Sequence, residues 1–405
     1  MADVLVEDGV IVSVGSEPQG PAGHPASAEA LDLRGYLLLP SLVEPHAHLG
    51  EAFTGLGQVS PGGSLPPGPS GTGVAARPVL PAAGIAARAW AAATRYLAHG
   101  ATAIRVHVDV GEEVGLRAVE ALLGMRAGLA GIMDIQIVAV ASVPVTGRAG
   151  AVNRALLRQA LGVGADLAGG TPALDGEPGR AVETLAVVAA QAGAGLDLHL
   201  NETSGAAAGT LPRLIAVAEA GFGHPVTASH VISLGTQEPG RRETVRSMAD
   251  AGIDVVTLPQ PSLFPRGNSP AAGAPGGLAV VRDLLAAGVP VAAGGDSLHQ
   301  PFSPVSRADP LETASLLLAA AQLTPAEAIA AVTSAGRQIM GLPGVTVAPG
   351  SPADLVAVRA ADLGNALASG TPDRIVLRGG RVVARVRAAA ELALPELRAT
   401  RSAWN

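Results

Sequence analysis

Two histidines one residue apart, His46 and His48, end an apolar run near the start of the chain. Residues 37–49 predict a buried strand, and side chains two positions apart on a strand point to the same face. The pair therefore directs two imidazoles into one cavity, and neutral imidazole nitrogens suit Zn²⁺, Fe²⁺ and similar divalent ions. Alone, such a pair is more often hydrogen-bonded or exposed to solvent. A metal site needs further ligands later in the chain.

Three later apolar runs also end in residues that bind metals or move protons. One carries His199 at its end and is followed by Glu202. Another ends in His230, and the last one precedes Asp296. Singly, each residue fits a hydrogen-bonded core histidine or a capping carboxylate, but polar groups that converge from several strands mark a functional site. The sequence predicts such a site here.

The elements that must bring these residues together are short apolar runs that alternate with helical stretches. The eight predicted strands are residues 37–49, 103–110, 134–143, 165–169, 196–201, 225–232, 254–259 and 290–295. Enough residues for a crossover helix separate each strand from the next, which predicts an α/β fold, a parallel (β/α)₈ TIM-type barrel. In that fold the chemistry lies at the carboxyl ends of the strands, where the candidate residues stand.

The segments on either side of the first barrel strand have other patterns. Residues 3–15 predict a hairpin around a Glu-Asp-Gly turn, and residues 82–99 predict a helix. Residues 50–81 are rich in Gly, Pro and Ser and predict a long irregular loop above the site.

The composition excludes several classes of function. The 405 residues carry a net charge of −7, which leaves no basic surface for nucleic acid and no polybasic patch for a membrane. There is no cysteine, so thiolate ligands and cysteine nucleophiles are excluded. All 27 basic residues are arginine, which excludes a Schiff-base lysine and a lysine carbamate between two metals. The first residues lack a signal-peptide pattern and no apolar run is long enough to span a membrane, so we expect a cytoplasmic protein.

Five stretches in order along the chain resemble the amidohydrolase superfamily, in its mononuclear metal-dependent branch, and within it the cytosine deaminase-like group. They are residues 42–49, 105–110, 199–202, 226–230 and 295–304. Residues 348–356 also resemble the return of these chains into a small β-sandwich. The resemblance implies a β-sandwich domain from residues 1–36 and 344–388, a barrel from residues 37–343 and a tail from residues 389–405.

The resemblance also implies a site for one divalent metal ion, Zn²⁺ or Fe²⁺, with Mn²⁺ as a further option. Its ligands would be His46, His48, His199 and Asp296. Asp296 would also accept a proton from the attacking water. Glu202 would act as general acid and base toward the ring and the leaving amine. His230 would orient the water and stabilise the tetrahedral intermediate.

Other positions are expected to contact the substrate or to support the ligands. Phe302 would stack on a planar ring. The remaining candidate substrate contacts are Ser142, Ser297 and His299. Ser142 and Ser297 stand at positions where the cytosine deaminase-like group has different residues, which argues against cytosine itself as the substrate. His107 and Asp109 are expected to support the ligands from the barrel interior.

These expectations combine into a metal-dependent hydrolytic deaminase that acts on the exocyclic amine of a small planar N-heterocycle of pyrimidine or triazine type. Two alternatives stay open. One is an amidohydrolase that releases an alkylamine from an N-substituted ring or opens a cyclic amide. The other is a metal-containing protein that binds such rings without catalysis. The expected partner is a small heterocyclic molecule, with no nucleic acid and no membrane, and assembly into a homo-oligomer is left open.

Overall fold

Strands and helices alternate through the middle of the chain, and antiparallel strands lie toward both ends. The computed structural model describes residues 2–15, 29–55, 82–200, 209–236, 240–263, 276–300, 306–389 and 391. The strands are β1 Asp3–Glu7, β2 Val10–Gly15, β3 Leu37–Pro40, β4 Leu42–Ala47, β5 Ala101–Val110, β6 Asp134–Ala141, β7 Leu167–Gly170, β8 Gly195–Leu200, β9 Val226–His230, β10 Asp254–Thr257, β11 Val291–Ala293, β12 Leu355–Val358, β13 Arg374–Arg378 and β14 Arg381–Val386. The helices are α1 Ala82–Ala98, α2 Arg117–Gly128, α3 Ala151–Val163, α4 Pro178–Ala192, α5 Thr210–Glu219, α6 Arg241–Asp250, α7 Pro259–Leu263, α8 Gly276–Ala279, α9 Val281–Ala286, α10 Pro310–Ala320, α11 Pro325–Ala331, α12 Ser334–Ile339 and α13 Leu363–Ser369. Among the residues described, no helix combines the length and the apolar character needed to cross a membrane.

The largest sheet has eight parallel strands that follow in sequence order from β4 to β11. Its first and last strands meet, because Ala47 forms a parallel bridge with Asp296. The amide of His48 donates to the Asp296 carbonyl at 2.9 Å, and the Asp296 amide donates to the His46 carbonyl at 3.0 Å. These contacts close the sheet, and the predicted (β/α)₈ barrel is confirmed.

Strand β5 shows how the sequence sorts residues between the two faces of the barrel. Ile104 and Val106 join the large apolar core that includes residues of the surrounding helices. Arg105 and His107 alternate with them, so they point into the barrel interior, where both side chains lie near Asp197. The interior therefore holds a line of polar side chains below the strand ends.

The single strand predicted for residues 37–49 is wrong, because the structure has two strands there. β3 pairs antiparallel with β12 in a second sheet of order β14-β13-β12-β3, and β4 begins the barrel. Pro40 has no amide proton to extend a ladder. The Ser41 amide still donates to the Asp354 carbonyl beside β12 at 2.9 Å, whereas the Leu42 amide donates to the Gly100 carbonyl beside β5 at 2.9 Å. The chain therefore changes sheets at this point.

Segments from both ends of the chain meet beside the barrel. The predicted hairpin is confirmed, since β1 and β2 pair antiparallel. The Ile11 amide donates to the Ser351 carbonyl at 2.9 Å, and the Gly350 amide donates to the Ile11 carbonyl at 2.8 Å. The division into residues 1–36 plus 344–388, 37–343 and 389–405 stays a prediction, and the pairing of β3 indicates that the first segment extends to residue 40.

The end of α12 and the residue after it lie across the amino-terminal end of the barrel. Met340 packs with Val43 and Ala103, which stand near the starts of β4 and β5. Arg105 donates from Nη2 to the carbonyl of Ile339 at 2.7 Å, and Gln136 donates to the carbonyl of Met340 at 2.7 Å. This arrangement forms the barrel floor.

Candidate active site

The four predicted metal ligands converge at the carboxyl ends of β4, β8 and β11. His48 Nε2 lies 3.2 Å from His199 Nε2 and 3.4 Å from Asp296 Oδ1. His46 Nε2 lies 4.0 Å from the same oxygen of Asp296. Donor atoms that surround one tetrahedral ion at about 2.1 Å stand roughly 3.4 Å apart. The donor atoms of His46, His48 and His199 lie within 4.8 Å of one another, so their spacing fits one divalent metal ion with Asp296 beside them.

His46 supplies an independent test of that fit. Its side chain is fully buried, and its Nε2 atom has no hydrogen-bond partner in the described part of the chain. Burial, together with the nearby imidazoles of His107 and His199, holds the pKa of His46 well below its ordinary value, so the ring is neutral. A buried, neutral and unpartnered nitrogen is costly unless a ligand satisfies it, and a metal ion is such a ligand.

His230 lies beside these ligands at the end of β9. Its ring centroid is 5.4 Å from that of His199, and its ring nitrogen groups with donor atoms of His46 and Asp296 within 4.8 Å. His230 and Asp296 both have left-handed backbone, with φ of 74° and 62°. Such conformations cost about 1–3 kcal/mol for residues other than glycine and are often found at functional sites. The ends of β9 and β11 therefore hold two candidate catalytic side chains in strained backbone.

Asp197 is the centre of a buried polar network directly below His46. One carboxylate oxygen accepts a hydrogen bond from Arg105 Nη1 at 2.8 Å. The other accepts from the Ser229 hydroxyl at 2.8 Å and lies 3.3 Å from His107 Nε2. Ser229 Oγ in turn lies 3.0 Å from His46 Nδ1. We call Arg105, His107, Asp197 and Ser229 the interior network.

The neighbours of Asp197 and His107 determine whether these two side chains of the interior network are charged. Burial alone would raise the pKa of Asp197, but the contact with His107, the charge of Arg105 and the hydrogen bond from Ser229 outweigh it and hold that pKa below its ordinary value. Burial lowers the pKa of His107 to about 4, so its ring is neutral where it stacks on His46 at 3.7 Å. Donor atoms of His46, His107 and Asp197 also lie within 4.8 Å of one another. Since Arg105 already pairs with this carboxylate, we assign the group to the network and not to a second metal.

A second buried carboxyl, that of Glu44, joins the first and last barrel strands from the other side. It accepts hydrogen bonds from the Gly295 amide at 3.0 Å and from the His46 amide at 3.1 Å. The Tyr96 hydroxyl lies beside it. Burial raises the pKa of Glu44 to about 8, so the carboxyl is protonated at neutral pH. Gly294 allows this approach, because a Cβ there would stand 2.5 Å from Glu44 Oε1.

The predicted substrate contacts lie around the opening of the barrel. Ser297 is buried and its hydroxyl donates to Asp296 Oδ1 at 3.4 Å. Ser142 is half-buried just after β6, and its amide donates to the Val110 carbonyl at 2.7 Å. Their roles toward a substrate stay predictions.

Two other predicted site residues are half-buried, and two lie outside the described residues. His299 is half-buried, and its ring meets the edge of Phe53 at 5.6 Å. Asp109 is half-buried near the end of β5, two residues after His107 and so on the same face. Glu202 and Phe302 lie outside the described residues.

Loops after three neighbouring barrel strands are joined by side-chain hydrogen bonds. Asn153 accepts from the Glu112 amide at 2.9 Å and donates to the Pro144 carbonyl at 3.0 Å. Asp175 accepts from the Val145 amide at 2.7 Å and from the Thr146 hydroxyl at 2.5 Å. These bonds fix the backbone next to Ser142 on this side of the opening.

Sequence reasoning missed four residues of the site. Three of them, Asp197, Arg105 and Glu44, stand two positions before a histidine that was singled out, and the fourth is Ser229. Asp197 precedes His199 by two positions and Arg105 precedes His107 by two, so each shares a strand face with a residue already singled out. Glu44 stands in the same relation to His46, but the irregular pairing of β4 sends it to the opposite side. Ser229 is adjacent to His230, and the left-handed backbone there brings both toward the site.

Comparison with known proteins is consistent with this geometry. The amidohydrolase family profile matches residues 76–384. Pterin deaminase of Rhizobium rhizogenes (strain K84) is 29% identical over 390 residues, which cover 95% of this chain and 88% of that protein. The structure of N-isopropylammelide isopropylaminohydrolase from Burkholderia multivorans is 31% identical, with a TM-score of 0.77 and 95% of each chain covered. The structure of 5-methylcytosine deaminase from Klebsiella pneumoniae shares the fold, with 24% identity, a TM-score of 0.80 and 97% of each chain covered.

The profile match extends over most of the chain, from residue 76 into β14, the last strand of the second sheet. The resemblance to the amidohydrolase superfamily is therefore confirmed, as is the assignment of the protein as an enzyme. The chain belongs to the amidohydrolase family, whose enzymes hydrolyse carbon–nitrogen bonds.

Proposed function

We propose that this protein is a metal-dependent deaminase that hydrolyses the exocyclic amine of a small, planar, nitrogen-rich heterocycle. The observation that carries the proposal is the convergence of His46, His48, His199 and Asp296 at the strand ends, with His230 beside them. Three imidazoles and one carboxylate suit Zn²⁺ or Fe²⁺, and Mn²⁺ is a further option. The expected location stays the cytoplasm.

The reaction adds water to the ring carbon that bears the amine and then expels ammonia, which leaves a ring carbonyl. A divalent ion held by the four ligands would lower the pKa of water and so supply a nucleophile at neutral pH. Asp296 would take the proton of that water, since its Oδ1 atom lies close to the Nε2 atoms of both His46 and His48, at 4.0 and 3.4 Å. His230 would donate a hydrogen bond to the oxygen that adds to the reacting carbon, where negative charge develops in the tetrahedral intermediate. Glu202 would protonate the ring nitrogen and deliver protons to the leaving amine.

The class of substrate is supported by the relatives. The pterin deaminase matches 95% of this chain, and a pterin carries an exocyclic amine on a fused pyrimidine ring. We therefore infer a substrate of pterin, pyrimidine or triazine type. Arg105, in the described part of the barrel interior, already pairs with Asp197, which suits a neutral planar ring above it.

A second candidate reaction is release of an alkylamine from an N-substituted ring. It is favoured by the 31% identity with the isopropylaminohydrolase of Burkholderia multivorans over 95% of both chains. Both reactions break an exocyclic carbon–nitrogen bond on a planar ring, and the same ligands and proton donors serve both. The size of the leaving amine distinguishes them.

The test is a substrate panel with separate detection of ammonia and of alkylamines. Zinc-loaded protein would be incubated with pterin, cytosine, an aminotriazine and an N-alkylaminotriazine, and the released amine identified by chromatography. Ammonia from one of the first three supports deamination, and alkylamine from the last supports the second candidate. Ring binding seen by a melting shift, without any amine released, would contradict both.

Two variants test the residue assignments. His48→Ala should lose both bound metal and turnover, because it removes one of the ligands. Glu202→Gln should keep the metal and lose turnover, because an amide cannot transfer the proton. Retained turnover in Glu202→Gln would refute its role as the acid.

A further inference from the structure

The orientation of His46 is determined by a chain of hydrogen bonds that starts in the barrel interior. Ser229 Oγ lies between two groups, 2.8 Å from Asp197 Oδ1 and 3.0 Å from His46 Nδ1. All three side chains are fully buried. A serine hydroxyl has one proton to donate and lone pairs to accept with.

The proton of Ser229 must go to Asp197. A carboxylate has no proton, so a hydroxyl oxygen at 2.8 Å from it is held there only by donating to it. The ion pair with Arg105 at 2.8 Å keeps that carboxylate ionised in a fully buried position. The hydroxyl is therefore left as an acceptor toward His46, and the Nδ1 atom of His46 must carry the ring proton.

A neutral imidazole carries one proton, so the lone pair of His46 stands on Nε2. That atom is the one that lies 4.0 Å from Asp296 Oδ1 and has no hydrogen-bond partner among the residues described. We propose that Ser229 and Asp197, anchored by Arg105, are positioning residues that set the tautomer of His46 and present its Nε2 lone pair to the metal. This inference rests on the proposed metal site but not on any particular substrate.

Two variants change the chain of hydrogen bonds in different ways. Ser229→Ala removes the acceptor for Nδ1, so the ring is no longer held in one tautomer. Asp197→Asn replaces an acceptor with a group that donates, and its amide can donate to Ser229. Ser229 would then donate to His46 Nδ1, which would move the ring proton to Nε2 and block the metal-binding atom.

A matched control is available two residues earlier on the same strand. Thr227 is fully buried, and its hydroxyl accepts from Arg105 Nη1 at 3.1 Å, away from the path to His46. Thr227→Val keeps the side-chain shape and removes that hydroxyl. It perturbs the same interior without touching the bond that sets the tautomer.

The experiment measures Zn²⁺ affinity by competition with a chromogenic chelator, using the full-length chain stripped of metal. Ser229→Ala should bind Zn²⁺ about 10–100-fold more weakly, as expected for the loss of a group that orients a metal ligand. Thr227→Val should bind like the wild type. Asp197→Asn should lose at least as much as Ser229→Ala, and circular dichroism would establish that each variant is folded.

A second readout reports the tautomer directly. In metal-free protein labelled with ¹⁵N-histidine, long-range nitrogen–proton correlation spectra distinguish Nδ1–H from Nε2–H rings, and a His46→Gln variant identifies the His46 signal. We expect Nδ1–H in the wild type and Nε2–H in Asp197→Asn.

The outcomes separate this inference from the proposed function. A folded Ser229→Ala that binds Zn²⁺ as tightly as the wild type overturns the positioning role, as does a wild-type His46 protonated on Nε2. A wild type that takes up no Zn²⁺ overturns it too. Zinc binding that weakens as expected in a protein that deaminates none of the panel supports the positioning role and rejects the proposed function alone.

Discussion

Asp197 and Glu44 are two carboxyl groups buried on opposite sides of the same strand ends. Asp197 lies inside the barrel with Arg105 at 2.8 Å, and its pKa is below the ordinary value. Glu44, on β4, accepts hydrogen bonds from the backbone amides of His46 and of Gly295 after β11, and burial raises its pKa to about 8. Both are linked to His46. Asp197 is linked to the His46 ring through the Ser229 hydroxyl, and Glu44 accepts a hydrogen bond from the His46 amide.

The difference shows that burial does not by itself determine the charge of a group near the candidate metal site. Backbone amides orient a carboxyl but offset only part of the cost of removing a charge from water, whereas a guanidinium offsets most of it. One side of the site therefore holds a fixed charge pair, and the other holds a neutral acid at pH 7.

The largest expected effect comes from breaking the charge pair in the barrel. Asp197→Ala leaves Arg105 buried and unpaired, which we expect to reduce the free energy of unfolding by about 3–5 kcal/mol. Urea denaturation at neutral pH measures the loss.

The control for this prediction is the double variant Arg105→Met, Asp197→Leu, which removes both charges. It should recover much of the lost stability, because no uncompensated charge is left. A double variant no more stable than Asp197→Ala would show that packing, and not charge, accounts for the loss.

The second effect concerns Glu44 and depends on pH. Its pKa rises from an ordinary 4.5 in the unfolded chain to about 8 in the fold. Between these values the folded state keeps a proton that the unfolded state releases, so the wild type loses stability as pH rises, by up to about 1.4 kcal/mol per pH unit. Glu44→Gln keeps the acceptor for Gly295 and removes this titration.

The measurement is the urea midpoint of both metal-free proteins between about pH 5 and 9. The wild-type midpoint should fall relative to that of Glu44→Gln across this range, with the difference levelling off above pH 8. Parallel curves for the two proteins would mean that Glu44 is ionised throughout.

A third effect tests the close packing of the Gly294 backbone against the Glu44 carboxyl. Gly294→Ala puts a Cβ 2.5 Å from Glu44 Oε1 and 3.1 Å from the backbone of His46, so we expect a loss of about 1–3 kcal/mol. Gly124→Ala in the middle of α2 is the matched control, because nothing lies within 4 Å of its Cβ. That control should gain about 0.5–1 kcal/mol, as alanine favours a helix. Equal thermal shifts in the two variants would contradict the steric explanation.

The smallest effect extends the comparison to Asp254, a half-buried carboxyl at the start of β10. Burial raises the pKa of Asp254 from 3.8 to about 6, with Arg105 and Asp197 as smaller influences. Stability is therefore lost as pH rises from about 4 to 6, by about 1 kcal/mol after allowance for solvent screening. Asp254→Asn should be more stable than the wild type at pH 7 and equal to it near pH 4, by thermal melting. A variant less stable at pH 7 would show that Arg105 needs this second carboxylate.

Much of the architecture was predictable because the relevant signals are local. Apolar runs at regular intervals predicted the barrel, and residues such as His199 and Asp296 were recognisable because each comes at the end of such a run. The change of sheet at Pro40 was not predictable, because residues on both sides of it are equally apolar and the partner strand is more than 300 residues away.

The supporting parts of the site depend on contacts between strands distant in sequence. The link from Ser229 to His46 spans 183 positions, and that from Glu44 to Gly295 spans 251. Side-chain period alone places such residues on a face but does not choose their partners. Loop positions such as Ser142 are set by bonds between neighbouring loops, which no local pattern encodes.

The barrel floor has a consequence for molecular traffic. Because the carbonyls of Ile339 and Met340 are tied to Arg105 and Gln136, the described chain closes the base of the barrel. In the proposed reaction, the reactant and the released amine would then pass through the other end of the barrel, above the metal-ligand candidates. A planar product that stays bound above the ligands would then block the exit of the smaller amine. Because the base of the barrel is closed, we expect the order of product release to determine product inhibition.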